Sequence, residues 1–167
     1  MESAAVTATA PAVMAPLNTA ERLPGTVPWP CLATILAGWL LTIGILWDIS
    51  WHATIGRDSF WTPAHIAVYL GGTLGGMVCG WIVLRSTFGG RALGPPEWGT
   101  VSVLGFRGPL GAWISIWGAA AMLLSAPFDD WWHNAYGLDV RIISPPHVVL
   151  ALGMYHVVLG AVVLAWS

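Results

Sequence analysis

The stretch that decides the fold is WDISWHATIGRDSFWTPAHIAVYL, residues 47–70. It places two Asp, two His and an Arg between two strongly apolar runs, in a chain with only 8% charged residues. A second stretch, FDDWWHNAYGLDVRIISPPHVVLAL at residues 128–152, has nearly the same pattern. Each stretch is typical of two apolar helices joined by a short polar connection, with ionisable side chains gathered around that connection.

The composition predicts a chain that resides in lipid. Hydrophobic residues make up 56% of it, and its mean hydropathy is +0.71. Four apolar runs have about the 20 residues that a bilayer-spanning helix needs, and backbone groups in hydrocarbon must be hydrogen-bonded within their own segment. The predicted fold is therefore all-α and integral to the membrane. The four predicted transmembrane helices are Trp29–Trp51, Pro63–Arg85, Pro109–Pro127 and Pro146–Trp166.

Charge and cysteine content argue against other classes. Lys is absent and there is no block of Arg, so a nucleic-acid partner is not expected. The alternating pattern of membrane β-barrel strands is absent as well. Cys31 and Cys79 fall in different predicted helices without metal-binding or redox spacing, and we interpret them as small apolar core residues.

The ends of the chain are predicted from composition and charge. Residues 1–28 are rich in Ala, Thr and Pro and do not have the pattern of a signal peptide, so a flexible N-terminal tail is expected. Four of the six Arg lie in this tail or around the connection between helices two and three, which places both termini in the cytoplasm by the positive-inside rule. The chain ends within or barely past its fourth apolar run, which predicts a fragment of a longer protein.

The two polar stretches form an internal repeat. The aligned pairs are Trp47 with Phe128, Asp48 with Asp129, His52 with His133 and, after one inserted residue, His65 with His147. Two parallel helix–loop–helix repeats follow, with both polar connections on the outer side of the membrane and a pseudo-twofold axis along its normal. The membrane domain, 29–167, is accordingly divided into repeat one at 29–85, a Gly- and Pro-rich cytoplasmic linker at 86–108, and repeat two at 109–167.

The repeated ionisable residues are candidate metal ligands. Asp48 and His52 are four apart and share one helix face, and His65 lies in the first turn of the next helix, just after a Thr-Pro start. A tight helical hairpin would bring these three side chains to one point, where a bound cation would compensate the cost of a carboxylate in the membrane. Imidazole and carboxylate together suit copper, iron or zinc, and the affinity series favours copper. The candidate ligands are Asp48, His52 and His65 in the first repeat and Asp129, His133 and His147 in the second.

Other polar and aromatic residues of the repeats have different interpretations. Trp51 and Trp132 are expected in an interfacial aromatic belt. Asp130 is an alternative to Asp129, being three residues from His133, although the repeat favours Asp129. His156 has no counterpart, and we interpret it as a polar contact within the helix core.

A second pair of acidic residues, Asp58 and Asp139, recurs at matched positions. We expect these carboxylates to cap the second helix of each repeat or to pair with Arg57 and Arg141. A hydrogen bond to a ligand His is the alternative.

The first stretch resembles the signature of the C subunit of particulate methane monooxygenase and ammonia monooxygenase. The matching residues are Asp48, His52, Arg57-Asp58 and Thr62-Pro63-Ala64-His65. In that family the Asp and both His bind copper within the membrane. The resemblance therefore implies a copper site at Asp48, His52 and His65.

The second stretch extends the resemblance to a further site of that family, in which Asn, His and His have the spacing of Asp129, His133 and His147. Asp129 in place of Asn adds a negative charge. The likeness covers roughly residues 30–166 and implies partner membrane subunits. A bacterial inner (cytoplasmic) membrane is expected, with the metal sites toward its outer side by the Arg count. Methane or ammonia as substrate does not follow, because the linker and tail carry no matching motif.

The leading functional hypothesis is a membrane copper protein. If the protein is an enzyme, reduced copper would activate O2 to hydroxylate a small apolar substrate. The alternatives are a copper or zinc carrier or sensor without catalysis, a b-type haem protein with His axial ligands, and a purely structural subunit. The His residues lie near helix ends, each within reach of a carboxylate, which favours a bare metal ion over haem.

Overall fold

The computed structural model describes residues 27–56, 59–89, 99–137 and 143–166, which form four long helices and one short β-hairpin. The helices are α1 (Trp29–Thr54), α2 (Pro63–Phe88), α3 (Leu110–Tyr136) and α4 (Pro145–Trp166). All four are long and apolar enough to cross a membrane. This confirms the predicted all-α membrane fold, in which the outer faces of the helices contact the lipid bilayer.

Proline and glycine delimit the helices. Pro63 stands at the first position of α2, where its fixed φ suits a helix and its missing N–H costs nothing. At the other end of a helix, Gly137 follows α3 with a φ of 93°, and Gly56 follows α1 with a φ of 87°. Glycine enters this left-handed region without the steric cost that other residues meet there. The polar connections therefore begin where the sequence allows the chain to turn.

Helix α3 is longer than predicted. The apolar run ends at Pro127, but α3 continues through this proline to Tyr136. Pro127 removes only one backbone N–H, and the Ser125 hydroxyl donates to the carbonyl of Met122 in the preceding turn, at 2.7 Å. The continuation places Asp129 and His133 on regular helix, one turn apart, as their counterparts are on α1.

The helices pack as antiparallel neighbours. In the α1–α2 pair Gly44 lies against Val68, and in the α2–α3 pair Gly72 lies against Met122 and Gly76 against Ala119. Helices α3 and α4 are likewise antiparallel, since their glycines approach one another in reverse order. The C-terminal ends of α1 and α3 and the N-terminal ends of α2 and α4 are therefore at the same end of the bundle, as the repeat predicts. This arrangement is compatible with two parallel repeats.

The α3–α4 seam is built on small residues. A Cβ atom added at Gly118 would lie 2.6 Å from the carbonyl oxygen of Gly153, and one added at Gly153 would lie 2.8 Å from that of Gly118. The Ser115 hydroxyl also donates to the carbonyl of Val157 across the seam, at 3.2 Å. Helices in lipid associate through close backbone approach of this kind, because lipid tails are as apolar as the helix side chains and the hydrophobic effect does not drive association.

We expect Gly118→Ala to destabilise the bundle, because the new methyl group must push α4 away. Overpacking of this kind costs about 1–3 kcal/mol. Gly80→Ala is the matched control, since a Cβ at Gly80 meets nothing within 4 Å. Reversible unfolding in mixed detergent measures both variants. Equal stability of the two would contradict the tight seam.

The linker between the repeats contains structure that was not predicted. Residues 86–108 were expected to form a loop, but β1 (Val101–Val103) and β2 (Phe106–Gly108) form an antiparallel hairpin. Thr87 anchors the hairpin to the end of α2: its hydroxyl accepts the N–H of Arg107 at 2.9 Å and donates to the carbonyl of Val83 at 2.8 Å. Val103 packs against the core cluster that includes Val83, the ring of Phe106 contacts that of Phe88, and Gly108 lies against Val83. The hairpin therefore adds to the core at the end opposite the polar connections.

The core lies between the helices in two clusters. One surrounds Cys79, Ile82 and Leu164 at the hairpin end, and the other surrounds Leu41 and Val157 near the middle of the bundle. Cys31 and Cys79 are buried in the first cluster as free thiols, in agreement with their interpretation as core residues. The predicted tail falls largely on residues 1–26, outside the described part of the chain.

Candidate metal centre

The structure brings the six predicted ligands together in two groups at the end of the bundle that carries the polar connections. Within each group, one ligand atom from each residue lies within 4.8 Å of the others. The first centre consists of Asp48 and His52 on α1 and His65 on α2. The second centre consists of Asp129 and His133 on α3 and His147 on α4. In both, a carboxylate stands between two imidazoles that come from different helices.

In the first centre, Asp48 is the shared partner. Its Oδ1 lies 3.0 Å from Nε2 of His65, and its Oδ2 lies 3.9 Å from Nε2 of His52. The Asp48 side chain is 18% exposed, whereas that of His52 is 45% exposed. The centre is thus shielded on the side of α2 and open on the side of His52.

The second centre is more symmetrical. Asp129 Oδ2 lies 3.4 Å from Nε2 of His133, and Asp129 Oδ1 lies 3.5 Å from Nε2 of His147. A charge-assisted hydrogen bond between imidazolium and carboxylate is shorter, at about 2.7–2.9 Å. Two ligand atoms bound tetrahedrally to one metal ion, each about 2.1 Å from it, are about 3.4 Å apart. The spacing at the second centre would allow one shared ion, whereas the 3.0 Å between Asp48 and His65 is that of a direct hydrogen bond.

The ring of His133 is oriented by the backbone at the end of α3. Its Nδ1 lies 3.3 Å from the carbonyl oxygen of Gly137. A carbonyl oxygen only accepts, so Nδ1 carries the proton and donates it. In the neutral ring, Nε2 then presents a lone pair toward the Asp129 carboxylate, and two acceptors face each other unless a proton or a metal ion lies between them. The donor set, one carboxylate and two imidazoles, fits a divalent transition metal and leaves coordination positions open.

His147 is oriented by the start of its own helix. Its Nδ1 lies 2.9 Å from the hydroxyl of Ser144, which directly precedes α4. The Ser-Pro start predicts a helix cap, but sequence reasoning did not find the bond between the cap and the imidazole. The contact with the Gly137 carbonyl could not be predicted, because every residue has a backbone carbonyl and residue type does not indicate which one bonds to His133.

Aromatic side chains surround both centres. Trp132 packs on Tyr136 with ring centroids 4.5 Å apart, next to His133. At the first centre the ring of Tyr69 lies 6.1 Å from that of His65. Trp132 is half-buried in this cluster, so its surroundings are those of a packed aromatic group at the end of the bundle, and the interfacial belt stays a prediction for it and for Trp51.

The remaining candidates are placed apart from the ligand groups or are not described. Asp130 is exposed, and its carboxylate accepts from the Asn134 amide at 3.3 Å, so Asp129 is the acidic member of the centre. His156 bonds through Nδ1 to the carbonyl of Leu152 at 2.6 Å and belongs to neither group. Asp58 and Asp139 lie outside the described residues.

Compared with protein-family models, with curated proteins and with solved structures, the chain matches none of them. What the two centres do is therefore inferred from their geometry and from the spacing of their ligands along the chain.

Proposed function

We propose that this chain is a membrane copper protein with two Asp-His-His centres, related in design to the C subunit of the copper membrane monooxygenases. The observation that carries the proposal is the convergence of all six repeated ligands into two groups, with ligand atoms within 4.8 Å of one another. An unrelated chain would rarely carry both ligand sets at these spacings. Each set requires two ligands on one helix to lie beside a third ligand on the next helix.

Copper is proposed over other metals on the donor set. Two imidazole nitrogens and one carboxylate oxygen suit copper, iron and zinc, and copper has the highest affinity among the divalent ions for such sites. With neutral imidazoles each centre carries one negative charge, which a divalent ion reverses. Zinc and iron are the alternatives.

The proposed activity is hydroxylation of a small apolar substrate in a complex with other membrane subunits, in which one oxygen atom of O2 enters the substrate and an external two-electron reductant reduces the other to water. Bound copper, when reduced, would supply electrons that activate O2. The residues of this chain would hold the ion, leave positions open and keep the surroundings apolar. The complex would lie in the inner membrane of a bacterium, with cytoplasmic termini and the centres toward the outer side.

An apolar groove supports this substrate class. It runs between α1 and α4 inside the membrane span, with a volume of about 320 Å³. The hydroxyls of Thr34 and Thr42 line it, but each donates to a carbonyl of its own helix. Apart from the indole N–H of the exposed Trp39 side chain, the groove is lined by apolar groups and by hydroxyls that already donate within α1. Thr42 lies six residues before Asp48, about 9 Å along the helix axis.

A metal carrier or sensor is the second candidate, and the exposure of His52 favours it. A ligand that is 45% exposed allows an ion to enter and leave through that side. Rapid exchange of bound metal, without an oxygen-dependent product, would support this function over catalysis.

The metal content of protein purified in detergent without chelator tests the proposal. We expect two copper ions per chain by mass spectrometry, one at each centre, and oxygen-dependent product formation once partner subunits and a reductant are added. Zinc or iron in place of copper would retain the centres and overturn the copper chemistry. A protein that binds no added metal ion would overturn the proposed function, and a haem absorption band would replace it with the haem alternative.

A further inference from the structure

Ser144 joins the start of α4 to the second centre. Its carbonyl accepts the N–H of Val148 at 2.9 Å, so it is the N-cap residue of the helix. Its hydroxyl oxygen accepts the backbone N–H of His147 at 3.5 Å and also lies 2.9 Å from Nδ1 of the same residue. One hydroxyl therefore contacts both the backbone and the ring of a candidate metal ligand.

This arrangement resembles a capping box with an imidazole in the place of the usual Glu or Gln. In a capping box the residue three positions after the cap bends its side chain back toward the cap. The sequence Ser144-Pro145-Pro146-His147 puts His147 at that third position, and the two prolines hold the intervening turn. The ring is thus held by the first turn of a helix rather than by a loop.

The bond decides which ring nitrogen faces the carboxylate. When Nδ1–H donates to the Ser144 hydroxyl oxygen, Nε2 carries the lone pair and points toward Asp129 Oδ1, 3.5 Å away. The Gly137 carbonyl does the same for His133. Both imidazoles of the second centre are therefore held in the Nε2 orientation before any ion arrives.

The hydroxyl at the matched position of the first repeat forms different hydrogen bonds. Thr62 occupies the position of Ser144, but its Oγ1 accepts the backbone N–H of Ser59 at 2.8 Å and contacts the Ser59 hydroxyl at 3.5 Å. It closes the turn that leads into α2. A Ser or Thr before the helix is therefore common to both repeats, while the bond to the ligand ring is formed by Ser144.

We propose that Ser144 is a positioning residue of the second centre, which fixes Nε2 of His147 as the metal-binding nitrogen. The inference rests on the proposed function, since it requires that this centre binds a metal ion. Outer hydrogen bonds to ligand His residues typically account for about 10–100-fold in metal affinity. We expect loss of the Ser144 hydroxyl to lower metal affinity by this amount. Its bond to the His147 ring, at 2.9 Å, is shorter than the 3.3 Å bond from the His133 ring to the Gly137 carbonyl.

The test measures copper(II) affinity in a His65→Ala background, in which only the second centre keeps its full ligand set. Chelator competition gives the affinity, and electron paramagnetic resonance of the loaded protein reports the nitrogen ligands. We expect Ser144→Ala to weaken binding about 10–100-fold and to alter the nitrogen hyperfine pattern. Ser144→Thr, which keeps a hydroxyl on the same atom, should restore both.

The control is Ser115→Ala, which removes a buried hydroxyl from the α3–α4 seam without touching the centre. It should leave affinity and spectrum unchanged, and so separates positioning from general loosening of the bundle. Unchanged affinity in Ser144→Ala, or an equal loss in Ser144→Thr, would overturn the positioning role while the centre itself stands. No copper bound to the His65→Ala protein would instead overturn the proposed function, and this inference with it.

Discussion

Protein carrying His65→Ala is expected to bind one copper ion per chain, and the His65→Ala/His147→Ala double variant none. Each substitution removes the only ligand that the second helix of its repeat supplies to the centre. The remaining Asp and His of that centre lie on one helix, four residues apart, and two ligands do not make the closed site that holds a transition metal through purification. The loss should therefore be complete at the altered centre and absent at the other.

His156→Ala is the matched control for this experiment. His156 lies on the same helix as His147, and its ring bonds to the carbonyl of Leu152 instead of joining a centre. The variant should keep both ions. Mass spectrometric metal analysis of the four proteins, purified side by side, decides the result. If copper content stayed at the wild-type value in the double variant, the two centres would not be the binding sites.

Removal of metal by a chelator is expected to lower the stability of the wild-type protein substantially. A ligand that binds only the folded state stabilises it by about 4 kcal/mol when it is present at 1,000 times its dissociation constant. The effect should be large here because each ion joins two helices, α1 to α2 and α3 to α4. Without it, among the residues that the structure describes, the ion-pair partners of Asp48 and Asp129 are imidazoles alone.

Thermal unfolding in detergent, followed by circular dichroism with and without chelator, measures this effect. The His65→Ala/His147→Ala protein serves as the control, since it has no complete centre to empty. Its midpoint should not respond to the chelator. Identical midpoints for wild-type protein in both conditions would mean that the ions do not hold the helices together.

Much of the architecture could be predicted from residue type and spacing. Long apolar runs predict helices in a membrane wherever they occur, because unpaired backbone groups cannot be left in hydrocarbon. The repeat then placed the matched Asp and His residues in two groups, and the described structure has both groups. Local rules also identified Pro63 as the start of a helix, since a proline there loses no hydrogen bond.

Other features depended on neighbours that the sequence does not display. Pro127 is typical of the end of a helix, but α3 continues through it to Tyr136 and contacts α4 at Met122 before the proline and at Asp129 after it. The hairpin at 101–108 forms where Thr87 at the end of α2 supplies hydrogen bonds to a strand 20 residues away. Gly- and Pro-rich composition predicts a turn but does not say what the turn packs against.

Residue type and spacing alone predict four membrane-spanning helices in the described part of the chain and the six side chains that gather at one end of the bundle. Those conclusions depend on hydropathy and on spacing within one helix, which are properties of short segments. The packed structure is needed for the spacings between ligands on different helices, which are 3.0 Å between Asp48 and His65 and 3.5 Å between Asp129 and His147. Distances between helices depend on how closely their small residues let the backbones approach, and that is settled only when all four helices are packed together.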